Sequence, residues 1–178
     1  MLSLTFVFWM YVFLFSIIGA MRGWAKELLV SFSVILSLTI LTLLQTYIPY
    51  VRDVLPRDST ALFWTRTSVL VVLVFFGYQT SNITRFAGKF TRERLQDALL
   101  GIFLGAINGY LIAGSIWYFM YEASYPFNMI SDPINTGVPQ IMDAANKIIT
   151  YLPPHILGVP AIYFAVVLSF VFVLVVFI

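Results

Sequence analysis

The stretch DALLGIFLGAINGYLIAG, Asp97–Gly114, decides how this chain folds. It is apolar enough to form a helix that crosses a bilayer. Gly101, Gly105 and Gly109 recur one turn apart along one side of it. Without side chains at those positions a second helix can approach backbone to backbone, held by van der Waals packing and Cα–H contacts. Ala98, Ala106 and Ala113 widen the same smooth strip. This helix is therefore built to be packed against, by a neighbour in its own chain or by another protein. Ser33 and Ser37, four residues apart on an upstream apolar run, form the natural partner surface for the strip.

Working outward, the rest of the chain has the same character. It is 61% hydrophobic and only 10% charged, with mean hydropathy +0.94. Soluble domains carry about a quarter charged residues. The charges are also segregated, leaving uncharged runs long enough to span hydrocarbon. Five segments qualify: Leu2–Met21, Leu28–Ile48, Leu62–Gln79, Ala98–Tyr121 and Ala161–Ile178. The expected class is thus an all-α, polytopic transmembrane bundle. A four-span core over residues 1–121 is followed by an extracytoplasmic loop, 122–160, and an additional helix, 161–178. The first span lacks a basic leading region and a small-residue cleavage site, so it reads as retained.

Several function classes fall away. Cysteine is absent and His155 is the only histidine, which removes thiolate nucleophiles and makes a metal site within one chain improbable. A net charge of +2 is too small for nucleic-acid binding. No catalytic residues, cofactor or metal are expected. The basic residues mark topology instead: six lie in the first and third loops or at their edges, four in or beside the second and fourth. By the positive-inside rule the first and third loops are cytoplasmic and the N-terminus lies outside.

Within the fourth loop, PQIMDAANKIITYL (Pro139–Leu152) places Ile141, Ala145, Ile148 and Leu152 on one face and Asp143, Asn146, Lys147 and Thr150 on the other. Proline at its start and proline just beyond its end frame a short amphipathic helix, expected to lie apolar face down on the outer membrane surface.

Three of these places together resemble the colicin V production protein family of bacterial inner-membrane proteins. MRGWAKELL (Met21–Leu29) resembles the family's first loop, DALLGIFLGAINGYLIA (Asp97–Ala113) its fourth span, and VPQIMDAANKIITYL (Val138–Leu152) the helix after it. Relatives commonly carry Arg where this chain has Ala98, and often Arg where it has Asn108. They also often have an acidic residue early in the first span, and most end soon after the amphipathic helix. The resemblance implies a non-enzymatic inner-membrane protein, with envelope maintenance or secretion as its setting.

The polar residues carry a sharp and a plain reading each. Arg22, Lys26 and Glu27, in the tight first turn, together with Arg85, Lys89, Arg92, Arg94 and Asp97 near the third loop, mark the cytoplasmic interface. They read as a docking or headgroup surface, or more plainly as snorkelling and locally paired charges. Asn108 is the one carboxamide deep within a span, lining a path or, more plainly, bonding across helices to Ser33, Ser37 or Thr42. The bilayer is the first partner, with a homo-oligomer or other membrane proteins next. The leading function is association between membrane helices. The alternatives are an accessory subunit of a respiratory or photosynthetic complex, with the last helix as its contact, and a small oligomeric channel or transporter.

Overall fold

A computed structural model of the protein describes residues 4–49, 54–56, 58–80, 94–127 and 139–177. Among them are seven helices and no strand: α1 (Leu4–Arg22), α2 (Trp24–Tyr47), α3 (Thr60–Thr80), α4 (Arg94–Glu122), α5 (Pro139–Thr150), α6 (Pro153–Ile156) and α7 (Ala161–Phe177). The first four long helices are each long and apolar enough to cross a membrane. α4, with 29 residues, extends about 43 Å, more than the roughly 30 Å of hydrocarbon. α7 has 17 residues, about 25 Å at helical rise, and is the shortest of the apolar helices; Ile178 lies outside the described residues.

One glycine separates α1 from α2. Gly23 adopts φ 84°, ψ 156°, a conformation in which a side chain is strained. Its N–H still donates to the Gly19 carbonyl at 2.9 Å, so α1 closes before the chain reverses. Hence α1 and α2 are antiparallel. α2 begins one turn earlier than its apolar run, because Trp24–Glu27 is also helical.

α2 is the central element. It packs against α3, α4 and α7, with a smaller contact to α1. Val30 and Val34 on α2 and Leu70 on α3 are fully buried in the resulting core. The most extensive pairing among the described helices is α1 with α4. After α4 the chain turns through positive φ at Ser124 and Tyr125, and Tyr125 folds back so that the Trp117 indole N–H donates to its hydroxyl at 3.3 Å.

The C-terminal elements depart from expectation in two respects. The apolar face of α5 turns onto protein: Ala145 and Ile149 are buried, and so is Leu152 just beyond, while Asp143, Asn146, Lys147 and Thr150 are exposed. Ile149 is buried more deeply than Ile148, and the side chain of Ile141 lies outside the described set. The Tyr110 hydroxyl of α4 donates to the Tyr151 carbonyl, and Pro153 of α6 lies over Gly114. Secondly, α7 is docked along α2, with Ile162 fully buried and the rings of Phe32 and Phe170 6.0 Å apart.

Candidate functional site

The glycine strip is closed from within the chain. Gly101, Gly105 and Gly109 face α1, not α2. A Cβ at Gly109 would lie 2.8 Å from the Val12 Cα, and one at Gly105 would lie 3.0 Å from the Gly19 Cα. Gly19 completes the seam from the other side: a Cβ there would sit 2.8 Å from the Gly105 Cα. The pairing expected with Ser33 and Ser37 does not form. Ser33 packs at Gly77 of α3, where an added Cβ would meet the Ser33 Cβ at 2.9 Å, and its hydroxyl donates to the Leu29 carbonyl. Ser37 is fully buried, its hydroxyl without a hydrogen-bond partner among the described residues. Glycine spacing marked the strip; only the lone Gly19–Ala20 pair hinted at the helix that fills it.

Beside the seam lies a buried polar knot. Glu27 is 0% exposed. Arg22 Nη1 donates to Glu27 Oε1 at 2.7 Å. Asn108 Nδ2 donates to Glu27 Oε2 at 2.7 Å and to the Glu27 carbonyl at 2.9 Å. Ser31 Oγ in turn donates to Asn108 Oδ1 at 2.7 Å. On its outer side the Arg22 guanidinium lies 4.1 Å from the Tyr78 ring centre, and Nη2 donates to the Tyr78 carbonyl at 3.1 Å. Asp97 of α4 accepts from the Trp24 N–H at 3.2 Å. A carboxylate from one helix thereby caps the positive N-terminus of another.

The structure thus joins Arg22, Glu27 and Asn108, which sequence reasoning had placed in two separate groups, and sets Asp97 at the start of α2. Glu27 is fully buried within the protein, because α2 starts early enough to include it. Asn108 bonds to Ser31 and Glu27, not to Ser33, Ser37 or Thr42. Two residues along a helix is a turn of about 200°, so Ser31 and Ser33 face different neighbours. Lys26 is exposed. Arg85, Lys89 and Arg92 lie outside the described residues, as does the side chain of Arg94.

A second polar group, unforeseen as a site, occupies the opposite end of the bundle. Arg66 of α3 is 5% exposed and makes an ion pair with Glu122 at the end of α4. Its Nη2 donates to Gln45 Oε1 of α2 at 2.9 Å, and its guanidinium lies 5.4 Å from the Phe119 ring centre. A cavity of about 600 Å³ opens beside this group. An arginine within an apolar helix was the available signal, since such a charge is buried only when a partner receives it.

Chemically, both groups consist of paired charges with a carboxamide bonded to one of the pair. Among the described residues, no three His, Asp or Glu side chains converge to hold a metal ion.

Residues 4–136 match the model of the family described as colicin V production protein. The match includes the first-loop and fourth-span motifs and stops before α5, so the third motif, residues 138–152, lies beyond it. No curated protein matches the chain, and no solved structure does.

Proposed function

The chain belongs to the colicin V production protein family, a non-enzymatic multi-pass membrane protein, and from that premise we propose that it works by lateral association in the bacterial inner membrane, in envelope maintenance or secretion. One observation carries the reading. The glycine seam and the Glu27–Asn108 knot are both satisfied inside the bundle, while the faces turned outward are broad and apolar, including Phe6, Trp9, Phe13 and Ile17 on α1. Such faces pack on lipid or on other helices without needing a dedicated polar site.

Crosslinking in native membranes, followed by native mass spectrometry in mild detergent, tests this. A homo-oligomer or a stoichiometric membrane partner is the expected result; a monomer that never captures a partner contradicts association.

A second reading, an accessory subunit, rests on α7. One side of it docks on α2, while Phe164, Leu168 and Val175 remain exposed. A contact made through α7 would leave the four-span core intact. The channel reading is weaker, because both acceptors of the Asn108 amide group and the donor to its carbonyl oxygen lie within the chain.

The orientation proposed with this function places the N-terminus outside, by the lysine and arginine bias. Asp143 is exposed on α5. Asp143→Cys should react with a membrane-impermeant reagent in intact spheroplasts. Labelling only after lysis reverses the topology.

A further inference from the structure

The cavity beside Arg66 and Glu122 has a chemistry that the association reading does not use. Its walls come from α2, α3, α4 and the α6 segment, and it holds about 600 Å³. Arg66, Glu122, Gln45 and Thr42 supply polar atoms; Leu157 and Gly158 contribute to the wall from the α6 side. Arg66 is the seventh residue of α3 and Glu122 the last of α4, so the pair lies toward the ends of these two helices.

From this arrangement we infer that the cavity binds a zwitterion carrying a primary ammonium and an anionic group, the chemistry of a phosphodiester of ethanolamine. The charges on the wall cancel. An anion alone would compete with Glu122 for the guanidinium and stand beside a repelling carboxylate. A cation alone would compete with Arg66 in the same way. A zwitterion serves both partners and adds no net charge to a partly desolvated site. The anionic group extends the donors of Arg66, a guanidinium with five N–H groups, of which the bonds to Glu122 and Gln45 account for two. The ammonium donates to Glu122, whose carboxylate accepts from several directions. The leucines of the wall accommodate an apolar stem.

Two sources share this chemistry: the headgroup of a membrane phosphatidylethanolamine and a soluble phosphodiester of ethanolamine, glycerophosphoethanolamine, each with one negative and one positive charge. The full-length protein, stripped of lipid in mild detergent, is titrated with phosphatidylethanolamine, phosphatidylcholine or phosphatidylglycerol, and bound lipid is read by native mass spectrometry. Phosphatidylethanolamine should bind about tenfold or more tightly than either competitor, since each lacks a charge-assisted hydrogen bond that the ammonium provides. Equal binding of all three lipids overturns the inference, and this comparison needs no variant.

Soluble glycerophosphoethanolamine is then added as competitor. Displacement identifies a site that reads the headgroup alone. Retention of phosphatidylethanolamine, with its preference intact, identifies one that also needs the acyl stem. Gly158→Leu supplies the structural control. A Cβ there meets only the His155 carbonyl oxygen, at 3.4 Å, and Gly158 lines the cavity, so the added side chain reduces the space available to a ligand. The variant should lose the preference while keeping its thermal midpoint. An unchanged preference in a folded Gly158→Leu protein also overturns the inference.

Discussion

At Asn108 one side chain holds three groups of the knot together. Its amide nitrogen serves a carboxylate oxygen and a carbonyl of Glu27, and its oxygen serves Ser31. Removing it leaves a buried carboxylate one donor short, and an unsatisfied buried group costs about 1–3 kcal/mol, more when charged. Asn108→Leu should therefore lower thermal stability in detergent by at least that amount. Ser31→Ala removes a single interhelical bond and should cost about 0.6–2 kcal/mol. Comparable losses in the two variants would show that Glu27 draws its support elsewhere. Arg22 and Glu27 behave as a unit for the same reason: breaking a buried pair from one side costs about 3–5 kcal/mol, through the charge left behind. Glu27→Gln is accordingly expected to destabilise more than Lys26→Gln, whose side chain is exposed.

At the scale of helices, the α1–α4 seam brings two backbones into direct contact. Gly105→Leu introduces a side chain where the backbone of Phe15 and Gly19 already lies. It should cost about 1–3 kcal/mol or more, and prevent assembly of α1 onto α4. Ile102→Leu, on the exposed side of the same helix, should be nearly silent. Protease accessibility of α1 in detergent distinguishes the two; equal resistance would mean that the seam tolerates separation. Asp97 works at the same scale, since its carboxylate caps α2 from α4. Asp97→Ala should cost about 0.5–2 kcal/mol, the range of a lost helix cap.

For the whole molecule, the question is what α7 adds. It touches α2 alone among the long helices in any substantial way, and α6 remains anchored at Gly114 without it. Deleting residues 159–178 should therefore leave an inserted, folded four-span protein with a lowered thermal midpoint and weaker capture of any partner. A truncated chain that aggregates would make α7 part of the core. The reach of sequence reasoning has a physical limit visible in these same elements. The helices, their approximate bounds, the strip Gly101–Gly105–Gly109 and the family were legible, because apolar length and glycine spacing are local properties of the chain. The partners of those features were not. A helix that is apolar all round carries no hydrophobic stripe to declare its inward face, and hydrocarbon does not distinguish lipid from protein. Whether Ser31 or Ser33 meets Asn108 depends on the rotation of α2 about its axis. That rotation is fixed by contacts with residues far away in the chain. The same is true of Arg66 and Glu122, 56 positions apart: the sequence determined that both charges existed, and only the packing of α2, α3 and α4 brought them together.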